Sequence, residues 1–308
     1  MPASAVSHQT LAVRQTHRPD PTVDVTTTRK VIAVERNGKR FVVEVGRGPE
    51  GWRRTVRYHG QRLLSPAHRR LYRFYNRALP SFWDDFAAGR FEPDTLNALD
   101  AFLDRDHTYI DVGAWIGPTA LYGCQLAKHC YAIEPDPVAY RLLEANFRLN
   151  PALLQRTTLF RGCIAPACGT VRLGNMFSSV GGDSHSSLLA DDARIAWEVQ
   201  ATTLQGFMEG HGVESCNFIK MDVEGGETVI LPSIATFLAA EKPTLHLSLH
   251  PFLYRNPRQD MQSILEILAP YGHILDEGAR PLDPRSLLRN DGFRWCDCII
   301  ATERLPGG

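Results

Sequence analysis

Two carboxylates at the ends of apolar segments are the residues with the clearest chemical meaning in this chain. Asp111 lies in an apolar segment and precedes a turn that contains Gly113 and Gly117, and Glu134 ends a second apolar segment. The two acids are 134 − 111 = 23 residues apart, close to the roughly 20 that separate the phosphate turn from the ribose-binding acid in dinucleotide folds. An acid at the second position can accept hydrogen bonds from ribose hydroxyls. The spacing therefore predicts a nucleoside-binding site.

The turn between these acids argues against a diphosphate-linked cofactor. It has only the glycines Gly113 and Gly117, and the carboxylate of Asp111 stands where a pyrophosphate would need bare backbone N–H groups. Asp111 would repel a diphosphate, directly or through water, but it would suit a cationic ligand. S-adenosylmethionine carries both a ribose and a positive charge, so it is the cofactor that these residues favour. A nucleotide-dependent oxidoreductase is the alternative.

A second group of acids, followed by a histidine, comes after two later segments. Asp222 and Glu224 follow the predicted strand 218–221, and His250 follows the predicted strand 244–249. Open α/β sheets bind ligands at the carboxyl ends of their strands. Asp222 is the first candidate for a general base or a ligand of a substrate hydroxyl, and His250, with an ordinary pKa near 6.5, is the second.

Glu224 has alternative interpretations. It could join Asp222 and His250 in the catalytic group, or it could cap the next helix together with Glu227, because acids favour helix N-termini. The three residues could also hold Mg²⁺. No local motif demands a metal, so the sequence favours a site without one.

Alternating strands and helices position these residues. Strands are predicted at 108–112, 130–133, 158–164, 218–221 and 244–249, with helices at 118–128, 137–149 and 261–269. This order predicts an α/β fold with a largely parallel, doubly wound sheet. Segments 273–275 and 295–301 complete the sheet, with an antiparallel hairpin as one arrangement. The Ser- and Gly-rich segment 174–196 is predicted to be a long loop. It could close over an acceptor as a lid, or it could be a plain surface loop. Its central polar residues are Ser184, His185, Ser186 and Ser187.

The remaining features bound the class of protein. The 308 residues have a formal charge of +0, and the seven cysteines include no CxxC pair, which is typical of reduced thiols in a cytoplasmic protein. No apolar run is long enough for a membrane helix.

The N-terminal part of the chain is predicted to have two segments. Residues 1–28 are predicted to be a disordered tail, and residues 29–90 a small strand and helix subdomain that begins with a hairpin at Asn37-Gly38. The Arg-rich segment 53–77 leaves nucleic acid open as a partner, but no recognition motif supports it.

Four blocks of the sequence together resemble the FkbM-family S-adenosylmethionine-dependent methyltransferases. The match covers roughly residues 81–250, and the last block is the most specific. The blocks are Phe91-Glu92-Pro93-Asp94-Thr95-Leu96, Asp111-Val112-Gly113-Ala114-Trp115-Ile116-Gly117, Ile133-Glu134-Pro135 and Ile219-Lys220-Met221-Asp222-Val223-Glu224-Gly225-Gly226-Glu227. The resemblance implies a Rossmann-like class I methyltransferase sheet of seven strands over residues 91–308.

The resemblance also implies a set of cofactor contacts and two departures from the family. Cys163 and Ile164 would lie along the adenine. Trp115 stands where the family usually has Asn, and Ser248 stands where many members have Glu. The residues expected to bind the cofactor are Asp111, Gly113, Ala114, Trp115, Gly117, Glu134, Pro135, Cys163, Ile164 and Asp222.

The function that follows is methyl transfer to an oxygen. Family members are known or supposed mainly as O-methyltransferases of natural products, sugars or glycolipids, so the expected partner is a small-molecule acceptor. An N-methyltransferase is the nearest alternative, and a catalytically silent cofactor-binding protein is a further one. The sequence leaves a homodimer open.

Overall fold

The computed structural model describes residues 29–46, 82–179, 181–288 and 297–306. The predicted tail and the Arg-rich segment 53–77 lie outside these ranges. Among the described residues, no helix is both long enough and apolar enough to cross a membrane. The chain divides into two compact units, with the boundary between Glu92 and Pro93.

The first unit contains an antiparallel hairpin and a short helix. The strands β1 (Arg29–Arg36) and β2 (Lys39–Gly46) pair on either side of Asn37-Gly38, as the sequence predicted. Both turn residues have positive φ, which Asn and Gly tolerate. Helix α1 (Phe82–Ala87) contributes Trp83 and Phe86, whose rings pack edge-on against Phe41. This aromatic cluster forms part of the core of the first unit.

The second unit alternates strands and helices. Its strands are β3 (Thr108–Val112), β4 (His129–Glu134), β5 (Thr157–Arg161), β6 (Cys163–Ile164), β7 (Gly169–Asn175), β8 (Ser186–Ser187), β9 (Ile195–Thr202), β10 (Phe218–Met221), β11 (Thr244–Leu249), β12 (His273–Asp276) and β13 (Asp297–Thr302). Its helices are α2 (Pro93–Phe102), α3 (Pro118–Gly123), α4 (Pro137–Arg148), α5 (Pro151–Leu154), α6 (Leu204–Gly210), α7 (Glu227–Glu241), α8 (Pro257–Leu268) and α9 (Arg285–Leu288), with a 3-10 turn at Pro251–Leu253.

Seven of these strands form one sheet in the order β12-β13-β11-β10-β3-β4-β5. The five strands from β11 to β5 are parallel, and β13 runs antiparallel to both of its neighbours. The predicted Rossmann-like class I methyltransferase sheet is therefore confirmed, including the terminal antiparallel pair. Parallel strands buried on both faces need apolar side chains, and β11 is buried along its whole length.

Three predicted elements differ from the structure. The helix predicted at 261–269 is α8, which begins at Pro257. The predicted strand 158–164 divides at Gly162, where a Cβ atom would lie 2.7 Å from the backbone oxygen of Gln200. Cys163 and Ile164 then join a second sheet, of order β6-β9-β7-β8. The predicted helix 118–128 ends at Gly123, which packs so closely on the Tyr109 ring that a Cβ would lie 2.6 Å from it.

The register of the sheet aligns three polar side chains across adjacent strands. Lys220 on β10 pairs with Asp111 on β3 and with His246 on β11. Residues in register on neighbouring strands point to the same face, and so do residues two apart on one strand. Asp222 therefore follows Lys220 on this face, at the carboxyl end of β10.

Candidate active site

Glu134 ends β4 with its carboxylate enclosed by backbone donors. Its Oε2 accepts a hydrogen bond from the N–H of Trp115 at 2.8 Å, and its Oε1 accepts one from the N–H of Asp136 at 2.7 Å. Burial raises the pKa of Glu134 to about 8, against the opposing effect of these two hydrogen bonds. Each carboxylate oxygen has a second lone pair. Glu134 can therefore accept further hydrogen bonds from two vicinal hydroxyls.

The raised pKa of Glu134 predicts pH-dependent cofactor affinity. Only the ionised carboxylate has all its acceptors available, and below pH 8 most of the carboxyls are protonated. We therefore expect S-adenosylhomocysteine to bind about fivefold more tightly at pH 8 than at pH 7, with the gain levelling off at higher pH. Calorimetric titrations across this range measure it. The Glu134→Gln variant should bind weakly with a flat profile, and a wild-type profile equally flat would contradict the prediction.

Asp111 is fully buried at the end of β3. Its Oδ2 accepts a hydrogen bond from Thr119 Oγ1 at 2.7 Å, which ties the first turn of α3 to the strand. Its Oδ1 accepts no hydrogen bond within the described part of the chain and lies 3.5 Å from Lys220 Nζ. A buried acceptor without a partner is costly. Asp111 therefore has one oxygen that faces Lys220 and can still accept a hydrogen bond from a water or a cationic group.

The turn after β3 is packed against the carboxyl end of β10. Gly113 has a φ of 86°, and a Cβ atom there would lie 1.9 Å from the backbone oxygen of Asp222. Gly117 has a φ of 97°, and its Cβ would meet the side chain of Leu143 at 2.7 Å. Both positions require glycine for conformation and for space. The backbone N–H groups of Gly113 and Ala114 both bond to the carbonyl of Ile133, so the turn is fixed against β4.

Trp115 occupies a strained position in this turn. Its φ is 49°, a left-handed conformation that a bulky residue rarely adopts and that Asn tolerates well. Its indole Nε1 donates a hydrogen bond to the carbonyl of Gly182 at 3.0 Å. The side chain thus connects the turn between Gly113 and Gly117 to Gly182, in the segment predicted to be a long loop. Backbone strain of this kind concentrates at binding sites, where the surrounding structure holds it in place.

Asp136 fixes the same loop from the other side of the turn. It caps α4, since its Oδ1 accepts from the N–H groups of Val138 and Ala139. Its Oδ2 accepts from Gly182 N at 2.9 Å and from Ser186 Oγ at 2.8 Å. The loop also reaches the second group of acids, because Ser187 Oγ donates to the backbone carbonyl of Glu224. The predicted loop is therefore held at both ends of the site, with β8 inside it.

Removing the Asp136 carboxylate should release both the helix cap and the loop. We expect Asp136→Ala to lower the free energy of unfolding by about 2–4 kcal/mol, of which about 1 is the cap and about 1 each are the two loop hydrogen bonds. Ser186→Ala loses one of the loop bonds and the hydrogen bond that Ser186 Oγ accepts from Asn175 Nδ2, and it should cost about 1–2 kcal/mol. Urea unfolding measures both values, and amide exchange should show faster opening of residues 181–187 in each variant. Equal costs in the two variants would show that the cap and the Gly182 bond together contribute no more than the bond between Asn175 and Ser186.

His250 lies in a cage of three carboxylates at the end of β11. Its Nδ1 donates to Glu227 Oε1 at 2.6 Å. Its Nε2 is 3.4 Å from Asp222 Oδ1 and 3.8 Å from Glu224 Oε1. His250 and Glu227 are buried, whereas the side chains of Asp222 and Glu224 are 24% and 12% exposed. The open side of the cage is thus formed by the two acids of the strand end.

Electrostatics separate the roles of these groups. Burial lowers the pKa of His250, but the charges of Glu224, Glu227 and Asp222 outweigh it and raise the pKa to about 10. The ordinary value near 6.5 on which the sequence prediction relied does not apply, because the cage keeps the imidazole protonated at neutral pH. For Asp222, burial raises the pKa, but Lys220 and His250 outweigh it and the pKa is lowered. Asp222 is therefore ionised and can accept a proton.

Several residues of the site were assigned no role from the sequence. Lys220 bridges Asp111 and Asp222, with its Nζ 3.5 Å from an oxygen of each. A lysine inside a buried apolar strand is itself a signal, since buried charges are nearly always paired. His246 is buried beside it, and burial lowers its pKa to about 4. Asp136 had no signal beyond its place before a helix.

The other sequence-predicted residues fall into two groups. Cys163 and Ile164 are buried on β6, and burial together with the charge of Glu134 raises the pKa of the Cys163 thiol to about 11. These two residues therefore lie on the Glu134 side of the site. Asp222, Glu224 and His250 form the other group, and each offers a ligand atom within 4.8 Å of the others. Pro135 separates Glu134 from the cap of α4. The six cysteines of the described ranges are free.

Comparisons with known proteins identify the family. The methyltransferase FkbM domain matches residues 111–277, which is more than half of the chain and includes both acid groups. The protein therefore belongs to the FkbM family of S-adenosylmethionine-dependent methyltransferases. A search of curated proteins finds no match.

Solved structures of methyltransferases are also similar to the chain. A methyltransferase FkbM from Methylobacillus flagellatus KT shares 17% identity at a TM-score of 0.43, over 76% of this chain and 59% of that one. An S-adenosylmethionine-dependent O-methyltransferase from Thermotoga maritima shares 13% identity at a TM-score of 0.37, over 70% of this chain and 66% of that one. A T. thermophilus 16S rRNA methyltransferase solved with its cofactor and guanosine shares 12% identity at a TM-score of 0.38, over 90% of this chain and 51% of that one. The chain thus spans less than two thirds of the length of each of these proteins.

Proposed function

We propose that this protein transfers the methyl group of S-adenosylmethionine to a hydroxyl oxygen of a small molecule. The observation that carries the proposal is the direct contact between the two halves of the site. The α-carbon of Gly113 packs so closely on the backbone of Asp222 that no side chain fits between them. The turn that fits the cofactor and the acid that fits a proton acceptor are therefore adjacent, as an in-line methyl transfer requires.

The residues around the turn fit this cofactor. Glu134 offers acceptor lone pairs for ribose hydroxyls, and the buried Oδ1 of Asp111 accepts no hydrogen bond within the described residues. Cys163 and Ile164 provide an apolar surface on the Glu134 side for an adenine. When bound, S-adenosylmethionine supplies an electrophilic methyl group on a positively charged sulfur. Carboxylates near that charge favour its binding over that of a diphosphate-linked cofactor.

The acid group fits the removal of a hydroxyl proton. The acceptor oxygen forms a bond to the methyl carbon while the carbon–sulfur bond breaks, and the hydroxyl proton passes to the carboxylate of Asp222. Lys220 and His250 keep that carboxylate ionised before the reaction, since both lower its pKa. A hydroxyl needs such a base more than a neutral amine does. This favours oxygen over nitrogen as the acceptor atom and Asp222 over the protonated His250 as the base.

The identity of the donor and of the acceptor atom can be tested together. Calorimetry should detect binding of S-adenosylmethionine and of S-adenosylhomocysteine to the purified protein. Incubation with a donor carrying a deuterated methyl group and a library of hydroxylated small molecules, followed by mass fragmentation, should place the label on oxygen. Label on nitrogen would show that the acceptor atom is nitrogen and not oxygen. Binding of NAD(H) with no heat from either sulfur nucleoside would overturn the proposal in favour of an oxidoreductase.

A further inference from the structure

We propose that Asp222, Glu224 and His250 bind a divalent metal ion, with Mn²⁺ preferred over Mg²⁺. This inference rests on the proposed function, because the ion would lie where the acceptor hydroxyl meets Asp222. The three side chains come from two places in the sequence, and the parallel register of β10 and β11 brings them together. Their ligand atoms all lie within 4.8 Å of one another.

The separations of these atoms fit a common ion. Two ligand atoms at about 2.1 Å from an octahedral ion are about 3.0 Å apart when adjacent and about 4.2 Å apart when opposite. His250 Nε2 is 3.4 Å from Asp222 Oδ1 and 3.8 Å from Glu224 Oε1, between these two limits. Small side-chain rotations therefore complete three coordination positions. Since the side chains of Asp222 and Glu224 are partly exposed, the ion has an entry path and the acceptor oxygen has an open position.

A second observation that points to a ligand is the position of Glu227. This residue is fully buried, and its Oε1 accepts from His250 Nδ1 at 2.6 Å. Its Oε2 has no hydrogen-bond partner in the described residues. Histidines that bind metals almost always donate their other ring nitrogen to a carboxylate or a carbonyl, which fixes the ring and aims the free nitrogen at the ion. Glu227 orients His250 in this way, with Nε2 facing the two exposed acids.

The donor set distinguishes Mn²⁺ from Mg²⁺. Imidazole suits transition metals, whereas carboxylates suit Mg²⁺, Ca²⁺ and Mn²⁺, so a site with one nitrogen and two carboxylate oxygens favours Mn²⁺ over Mg²⁺. The backbone supports the same geometry. Glu224 has a φ of 49° and Gly225 a φ of 92°, and this unusual turn brings the Glu224 carboxylate back toward the end of β11. A strained turn of this kind persists only where the surrounding structure holds it. Binding releases the Nε2 hydrogen of His250 to solvent.

Electron paramagnetic resonance with Mn²⁺ tests the site without donor or acceptor. We expect the full-length protein to bind one Mn²⁺, at least about tenfold more tightly than Mg²⁺ in competition. Spin-echo modulation of the bound ion should show coupling to ¹⁴N, and His250→Gln should remove it. Glu224→Gln should weaken Mn²⁺ binding by at least about tenfold. Glu227→Gln should weaken Mn²⁺ binding by about 10–100-fold, because Glu227 affects the ion only by orienting His250.

The control variant is Glu209→Gln, a change of the same type on the exposed side of α6. It should bind Mn²⁺ as the wild type does, and thermal unfolding confirms that every variant is folded. No Mn²⁺ binding, or binding that His250→Gln and Glu224→Gln leave unchanged, would overturn the inference. Calorimetry with S-adenosylhomocysteine in the absence of metal keeps the two proposals apart. Donor binding without Mn²⁺ binding removes only the metal site, whereas Mn²⁺ binding without donor binding removes only the methyltransferase.

Discussion

Replacing Asp222 with Asn should reduce kcat by about 10²–10⁴-fold, the range typical for loss of a general base. The pKa of Asp222 is lowered, because Lys220 and His250 outweigh the effect of burial, so the wild-type carboxylate is ionised at neutral pH. Asn has the same shape but cannot accept the proton. Its amide also leaves Lys220 with a weaker partner in a site where the lysine is 3% exposed.

Affinity for the cofactor separates the base from a binding role. We expect Asp222→Asn to change the Kd of S-adenosylhomocysteine by less than about threefold, because the lost interaction belongs to the transition state. Asp106→Asn, an exposed aspartate in the turn before β3, is the matched control and should keep full kcat. Unchanged turnover in Asp222→Asn would remove Asp222 from the mechanism. A Kd that rises as much as kcat falls would assign Asp222 to cofactor binding, as the sequence also allowed.

Gly113→Ala should have the largest effect on both stability and cofactor binding. The added Cβ would lie 1.9 Å from the Asp222 carbonyl oxygen, and the φ of 86° is one that alanine rarely adopts. Neither neighbour can move easily, since both backbones belong to the sheet and its turn. We expect the free energy of unfolding to fall by about 2–5 kcal/mol from strain and overpacking together. The cofactor turn should separate from Asp222, so donor binding should become undetectable by calorimetry.

Gly210→Ala provides the comparison for this substitution. Gly210 ends α6, and an added Cβ there meets nothing within 4 Å. The change should be neutral or stabilise the protein by about 0.4–1 kcal/mol, because alanine restricts the unfolded chain. Urea unfolding of both variants measures the difference. Equal stability of Gly113→Ala and Gly210→Ala would show that the turn relaxes without cost. The close contact between Gly113 and Asp222 would then no longer support the proposed function.

The fold of the second unit was largely predictable because its signals are local. Strands β10 and β11 have the predicted bounds, and each is followed directly by a polar residue, Asp222 or His250. The predictions failed at two glycines where distant segments pack closely. Helix α3 ends at Gly123, which packs against Tyr109, and the predicted strand divides at Gly162, whose backbone passes close to Gln200. Neither contact leaves a trace in the periodicity of the sequence.

The sequence by itself determined which acids end which strands, and therefore that Asp111, Glu134 and Asp222 reach one edge of the sheet. Parallel strands of an alternating α/β pattern end at the same edge of the sheet, so this much is local information. Only the tertiary structure decided how each group is charged. Glu227 binds His250 from 23 residues away and helps raise its pKa, and Lys220 on β10 contacts Asp111 on the neighbouring strand β3. Protonation depends on burial and on the distance between charges, and both quantities exist only once the chain is folded.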